Sequence, residues 1–267
     1  MKRLFYAVVG VLALALTACG SDGGSGASTD DTTAATSEAS SELSGTLTVL
    51  AAASLTQTFD ELKQQFSEEH PGVTVEASFG ASSTLARQIV EGAPADVFAA
   101  ASTATMKTVT DAGLADGEPA VFVRNTLQIA VPPDNPAQIT SLADLAKPEV
   151  KVALCEPQVP CGSAAQTALT AAGIAVTPVT LEQDVKAVLT KVRLGEVDAG
   201  LVYRTDVISA GSEVLGIDFP QAQQAINDYP IVVLSDAPNP EAAAAFVELV
   251  RSPEGLAVLT KAGFAEP

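Results

Sequence analysis

The stretch TLTVLAAASLTQTF, residues 46–59, passes from a short apolar segment into apolar positions that recur at helical spacing. Its first six residues predict a buried strand, and the positions from Leu55 to Phe66 predict a helix that ends before Pro71. The next stretch, VTVEASFGASSTL at residues 73–85, repeats this order: alternating apolar residues, then small hydroxyl residues, then a helix. Strands and helices in this succession predict a parallel sheet flanked by helices.

The alternation continues to the C-terminus and forms two α/β sets. We therefore predict an α/β protein of two lobes, each a mostly parallel sheet flanked by helices, with a ligand cleft at the carboxyl ends of the strands. A short final strand is predicted at residues 231–234, before two C-terminal helices. We assign residues 45–124 and 231–267 to lobe 1 and residues 125–230 to lobe 2, with hinges near residues 125–127 and 228–230.

The N-terminus has the form of an export signal. Lys2 and Arg3 precede an apolar run, residues 4–16, that is too short to span a bilayer comfortably, and the run closes with LTAC ending at Cys19. This ending resembles a bacterial lipoprotein box. We expect residues 1–18 to be a signal peptide and Cys19 to carry lipid; an ordinary secretory signal with an incidental cysteine is the alternative.

Residues 19–44 predict a flexible tether between the lipid and the folded body. Beyond Cys19 they are Gly, Ser, Thr, Ala, Asp and Glu with one large apolar residue, Leu43, and such a segment buries too little surface to fold. The sequence therefore predicts an exported protein, held by its lipid at the outer face of the cell membrane.

Charge and composition exclude several classes of partner. Among 267 residues, 32 Asp and Glu stand against 14 Lys and Arg, and the formal net charge of −18 disfavours nucleic acid and anionic lipid headgroups. One His and three Cys leave few ligands for a zinc site. We expect no nucleic-acid partner, no bound metal cation and no cofactor.

Two loops at predicted strand ends place a serine just before a helix. Ser54 follows the first strand, with Gln57 three residues later, and Ser82 follows the second. By pattern alone, helix capping is the favoured role, and Ser54 with Gln57 fits a capping box. The alternative is an anion site, in which hydroxyls, exposed amides and helix dipoles converge on one point.

Eight short motifs together resemble the periplasmic molybdate-binding proteins of molybdate ABC importers, in order from about residue 46 to residue 264. Each motif alone is weak, but eight in register are a specific signal. The motifs are AAASLT (51–56), SSTLARQI (82–89), GAPADVF (92–98), NTL (125–127), VPCG (159–162), EQDV (182–185), GLVY (200–203) and DYP (228–230).

The resemblance implies a type II periplasmic-binding-protein fold that closes on one tetrahedral oxyanion. It places the ligand contacts at Ser54 and Ser82 through hydroxyl and amide groups, at Cys161 and Val185 through backbone N–H, and at Tyr203 through its phenol. A doubly charged oxyanion without protons suits a pocket of neutral donors, whereas protonated phosphate leaves its own donor unpaired there.

The implied function is capture of molybdate, and of tungstate with it, for delivery to a membrane permease by a protein expected to be monomeric. Sulfate or another tetrahedral oxyanion is an alternative, because the same donors suit it. An exported serine hydrolase is disfavoured, because there is no G-x-S-x-G motif and the single histidine, His70, is far from both serines in sequence.

Two cysteines remain once Cys19 is assigned to lipid. Cys155 and Cys161, with five residues between them, lie in an oxidising compartment, so we expect a disulfide that stiffens the loop carrying the Cys161 amide. Cys161 departs from the enterobacterial pattern, which has Ala there. A redox or metal pair is the alternative, disfavoured because C-x-x-C spacing and a nearby His are missing. Outside this loop, Arg87 is expected to pair with Glu91 one helical turn on.

Overall fold

The computed structural model describes residues 42–267, and the predicted signal peptide, Cys19 and most of the predicted tether lie outside this range. Within it the chain forms ten strands. They are β1 (Gly45–Ala52), β2 (Val73–Gly80), β3 (Val97–Ala99), β4 (Ala115–Asn125), β5 (Leu127–Val131), β6 (Val152–Cys155), β7 (Thr180–Glu182), β8 (Ala199–Tyr203), β9 (Leu215–Ile217) and β10 (Asn227–Leu234).

Helices follow most of the strands, as the sequence predicts. Short 3-10 helices include Ala53–Leu55, directly after β1, and Leu142–Ala146. The α-helices are α1 (Thr56–Glu69), α2 (Ser82–Val90), α3 (Thr103–Asp111), α4 (Pro160–Ala172), α5 (Val185–Arg193), α6 (Arg204–Ala210), α7 (Pro240–Arg251) and α8 (Pro253–Lys261).

The strands form two five-stranded sheets, with the orders β2-β1-β3-β10-β4 and β7-β6-β8-β5-β9. In each sheet the first three strands are parallel and the last two pair antiparallel. The predicted α/β class is confirmed, and each sheet is mixed because its fourth strand, β10 in the first sheet and β5 in the second, runs against the other four. We call each sheet with its helices a lobe.

The chain passes between the sheets twice. β4 ends at Asn125 in the first sheet and β5 begins at Leu127 in the second. On the return, Asn227 already pairs with Asn125, so the strand predicted from Ile231 begins four residues earlier, before the DYP motif. The two passages are therefore adjacent, with Thr126 in one of them.

Each lobe has its own core. In the first lobe, α1, α7 and α8 cover one face of the sheet around Phe59, Phe66 and Phe246, and α2 and α3 cover the other. In the second lobe, Ile129 and Leu201 are fully or almost fully buried in one cluster. The strands whose ends build the site therefore pack against a buried core in each lobe. None of the helices in residues 42–267 is long and apolar enough to cross a bilayer.

Candidate functional site

A small cavity of about 20 Å³ lies between the two sheets, where the six parallel strands end. Ligand pockets for drug-sized molecules enclose about 300–1,000 Å³, so this cavity suits only a small ion. It is lined by residues at or after the ends of β1, β2 and β3 in the first lobe and of β6, β7 and β8 in the second. These are Ala52, Ala53, Ser54, Gly80, Ala81, Ser82, Ala101, Val159, Pro160, Cys161, Asp184, Val185 and Tyr203.

Neither lining serine caps its helix. Ser54 lies inside the 3-10 helix, and α1 has no side-chain cap. Ser82 is the first residue of α2, whose N-cap is Ala81. The capping role that the pattern favoured for both serines is therefore wrong. Helix α1 begins one residue too late for Ser54 to be its N-cap, and α2 begins one residue too early for Ser82 to be its N-cap. Both hydroxyls remain free for other partners.

Three buried hydroxyls meet at the cavity. The Ser82 Oγ accepts a hydrogen bond of 2.9 Å from the Ala101 N–H, which leaves its own proton without an acceptor in the described chain. The Ser54 Oγ lies 2.8 Å from the Tyr229 Oη. The Tyr203 Oη is buried and has no hydrogen-bond partner among residues 42–267. An unpartnered buried phenol at a cavity wall is a donor that a guest can satisfy.

Helix N-termini supply further donors. Ser82 is the first residue of α2, Cys161 the second of α4 and Val185 the first of α5. Amides at these helix positions have no acceptor inside their own helix, and the helix dipole places partial positive charge beside them. Gly162 permits the close approach of α4, because a Cβ there would lie 1.9 Å from the Glu156 carbonyl oxygen. The cavity is thus surrounded by N–H and O–H donors.

The lining contains no Lys or Arg, and its one charged residue is Asp184. The Asp184 carboxylate accepts from the Ala187 N–H and so caps α5. Behind the wall, the buried Asp206 accepts from the Tyr203 N–H, and Lys186 Nζ lies 2.9 Å from its other oxygen. Burial raises the pKa of Asp206, with Lys186 opposing the rise. No Lys or Arg side chain of the described residues therefore lines the cavity, and positive partial charge is supplied there by the helix N-termini.

Burial also raises the pKa of both tyrosines near the cavity, Tyr203 and Tyr229, well above the ordinary value of 10.0. Both phenols are therefore protonated at neutral pH and act as hydrogen-bond donors. Their rings pack edge to face with centroids 6.1 Å apart, which fixes the Tyr203 ring against the first lobe.

All five residues predicted as ligand contacts, namely Ser54, Ser82, Cys161, Val185 and Tyr203, line this one cavity. The structure also joins Cys155 to Cys161 in a disulfide, with Cα atoms 5.8 Å apart, so the second residue of α4 is tied to the end of β6. Two residues behind the wall were not among the predicted contacts: Asn125 and Tyr229. Both lie in quoted motifs, NTL and DYP, which were interpreted only as hinge segments.

His70 and Arg87 take no part in the site. His70 follows α1 and packs on the Phe66 ring, with ring centroids 4.6 Å apart. Arg87 forms no ion pair within residues 42–267, so the predicted pairing with Glu91 is wrong. The Arg87 and Glu91 side chains are both exposed, and an exposed ion pair at this spacing contributes only about 0.3–0.5 kcal/mol to helix stability.

Comparison with known proteins agrees with the geometry. Residues 47–265 match the family described as bacterial extracellular solute-binding protein. The molybdate-binding protein ModA of Mycobacterium tuberculosis (strain H37Rv) is 41% identical over 260 residues, covering 97% of this chain and 96% of that protein.

Solved structures show the same fold. The periplasmic molybdate-binding protein of Azotobacter vinelandii superposes with a TM-score of 0.73 at 22% identity, covering 83% of this chain and 99% of that one. The sulfate-binding protein SubI of Mycobacterium tuberculosis H37Rv gives the same TM-score of 0.73 at 20% identity, covering 83% and 86%. The fold is therefore common to binders of different oxyanions, and does not by itself distinguish among them.

Proposed function

This chain belongs to the bacterial extracellular solute-binding proteins, and we propose that its solute is molybdate, with tungstate as a second ligand. It is a binding protein rather than an enzyme, and it hands its ligand to the membrane permease of an ABC importer. The choice of molybdate is supported by the relative that is 41% identical over nearly the whole chain.

The proposal rests chiefly on hydroxyl protons at the cavity that have no acceptor within the described residues. Ser82 and Tyr203 line it with protons that have no acceptor in the described chain, and Ser54 adds a third hydroxyl. A wall of donors is satisfied by a guest that only accepts. A fully deprotonated tetrahedral oxyanion is such a guest, and the small volume of the cavity suits one.

Neutral donors can hold a dianion without a counter-charge. Each N–H or O–H bond to an ionised acceptor is about twice as strong as a bond between neutral groups, and helix dipoles add fixed positive potential. A buried Lys or Arg would first lose its hydration, which costs free energy. The formal net charge of −18 therefore does not exclude binding, since Asp184 is the one charged residue of the lining and its carboxylate caps α5, while N–H and O–H donors also line the cavity.

Location and partners are further parts of the proposal. The LTAC sequence ending at Cys19 supports a lipid anchor on the outer face of the membrane, with residues 19–44 as the tether. We propose that the protein acts as a monomer, and that ligand contacts from both lobes stabilise the closed form that the permease recognises. Residues near 125–127 would then serve as one hinge. The second hinge, predicted near 228–230, would lie just before Asn227 instead, because residues 228–230 are paired within β10.

Calorimetric titration of the purified protein with sodium molybdate, tungstate, sulfate and phosphate tests the function. We expect one site per chain for molybdate and tungstate, weaker binding of sulfate, weakest binding of phosphate, and a rise in Tm with each bound ligand. Sulfate binding tighter than molybdate would assign the protein to sulfate uptake. Absence of binding by all four anions would refute the proposal.

A further inference from the structure

We propose that Tyr229, held by Asn125, is a positioning residue that fixes the Ser54 hydroxyl as a hydrogen-bond donor toward the cavity. This inference rests on the proposed function, since it concerns how the same site distinguishes a proton-free oxyanion from a protonated one. Neither Asn125 nor Tyr229 lines the cavity, so both act through Ser54.

The orientation of the Asn125 amide is fixed by its surroundings. Its Oδ1 accepts from the Thr126 N–H at 3.0 Å, so the opposite atom is the NH₂ group. That group donates to the Thr205 Oγ1 at 2.8 Å and reaches the Tyr229 Oη at 3.4 Å. Because an amide NH₂ can only donate, Tyr229 must accept at this contact. The Asn125 side chain is buried, so water does not compete for these bonds.

The Tyr229 proton then has one acceptor in hydrogen-bond geometry, because the neighbouring Tyr203 Oη forms no hydrogen bond within residues 42–267. The Ser54 Oγ lies 2.8 Å from the Tyr229 Oη, and it is the remaining side-chain atom in hydrogen-bond geometry with that phenol in the described chain. Either oxygen could donate in a bond considered alone. Since Tyr229 is fully buried and keeps its proton, donation to Ser54 is the arrangement that satisfies both groups.

The consequence falls on Ser54. With one lone pair occupied by the Tyr229 proton, its own proton points away from Tyr229, and the cavity is the open direction. Ser54 therefore offers a donor to the guest, and an oxygen that carries a proton would face it donor to donor. The relay from Asn125 through Tyr229 to Ser54 thus sets which protonation state of an oxyanion the site accepts.

The relay also depends on the second lobe. Thr205 belongs to α6, which follows β8 in the second sheet, whereas Ser54 and Tyr229 belong to the first lobe. The Asn125 amide, at the end of β4, contacts Thr205 in the second lobe and Tyr229 in the first. The orientation of Ser54 is therefore anchored across the passage between the lobes.

A double-mutant cycle tests the relay. Molybdate and phosphate affinities are measured by calorimetry at pH 8 for the wild type, Tyr229→Phe, Ser54→Ala and the double variant. Tyr229→Phe should weaken molybdate binding by about tenfold, the value of one neutral hydrogen bond. In the Ser54→Ala background the same change should cost less than about twofold, because a residue acting through Ser54 has nothing left to position. The preference for molybdate over phosphate should fall in Tyr229→Phe.

Controls separate the relay from general destabilisation. Thr58→Val removes another buried hydroxyl, one that bonds to the Leu55 carbonyl instead of the relay; it should lower Tm without changing either affinity. If Tyr229→Phe does not fold, Asn125→Ala in the same two backgrounds replaces it and should give the same non-additivity.

The outcomes are distinct. A wild type that binds no molybdate refutes the proposed function and the relay together. A wild type that binds molybdate, with equal losses from Tyr229→Phe in both backgrounds, refutes the relay alone. An unchanged molybdate-to-phosphate preference in Tyr229→Phe also refutes it. The relay is supported if Tyr229→Phe weakens molybdate binding only when Ser54 is present and also lowers the preference for molybdate over phosphate.

Discussion

Ser54 and Tyr229 are 175 residues apart in the chain, and their side-chain oxygens lie 2.8 Å apart. The contact exists because β10 returns to the first sheet and pairs beside β3. A serine from the first loop of the fold is thereby supported by the last strand. The position of the Ser54 hydroxyl at the cavity therefore depends on the pairing of β10 in the first sheet.

Removing the Ser82 hydroxyl should weaken molybdate binding. Ser82→Ala deletes one donor at the cavity, and we expect a loss of about 1–3 kcal/mol in binding free energy with the fold intact. Calorimetry measures the loss, and Ser83→Ala is the matched control, because Ser83 is the next residue of α2 and does not line the small cavity. An unchanged affinity in Ser82→Ala would contradict the site assignment.

Removing the Tyr203 hydroxyl should separate binding from stability. Tyr203→Phe deletes a buried phenol oxygen that has no partner in the described chain. The ligand-free variant should therefore be at least as stable as the wild type, while molybdate binding weakens by about tenfold. Thermal unfolding with and without molybdate measures both quantities. A lower Tm without ligand, together with full affinity, would show that the hydroxyl is structural.

Lys186 should stabilise the fold through the buried Asp206. In Lys186→Met the buried carboxylate loses its charged partner, and the free energy of unfolding should fall by about 3 kcal/mol at pH 7.5. Urea unfolding measures this change. Lys191→Met is the control, because its pair with Glu196 is solvent-exposed and worth less than about 1 kcal/mol.

The same variant has a pH dependence of known sign. Burial already raises the pKa of Asp206 above its ordinary 3.8, and loss of Lys186 raises it further. A carboxyl group with a raised pKa in the folded state gains stability as pH falls through that pKa toward 3.8. The deficit of Lys186→Met should therefore shrink between pH 7.5 and pH 5. A deficit that grows on acidification would show that Asp206 is not the group left unpaired.

Opening the disulfide should affect both stability and binding. For so short a ring, the chain-entropy description gives a loss of about 2 kcal/mol on removing the bond between Cys155 and Cys161. The double variant Cys155→Ala with Cys161→Ala keeps the Cys161 backbone amide but frees its loop. We expect a lower Tm and weaker molybdate binding, measured by calorimetry. Full affinity would mean that α4 alone holds the amide.

The elements with regular apolar patterns were predicted close to their observed bounds, and the exceptions have physical causes. β4 was not predicted, because Ala115–Asn125 contains Gly117 and Pro119 and much of it is exposed. β7 has three residues, too few for a period to emerge. α6 was not predicted, because it begins directly after Tyr203 and the sequence has no turn or loop residues that separate it from β8.

The site was predictable where its residues follow strand ends, and not where they meet from distant parts of the chain. Ser54 and Ser82 could be singled out as loop hydroxyls before helices. Tyr229 could not, because its role depends on contact with Asn125, 104 residues away, and with Ser54. Local pattern also misjudged both serines as caps, since Ser82 is the first residue of α2 and Ser54 lies one residue before Leu55, the N-cap of α1.

A crystal structure of the protein with bound molybdate tests most directly whether uncharged donors alone hold the anion. We predict molybdate oxygens within hydrogen-bond distance of the Ser54, Ser82 and Tyr203 hydroxyls and of the Cys161 and Val185 amides. Molybdate in contact with a Lys or Arg side chain, or bound outside this cavity, would contradict it.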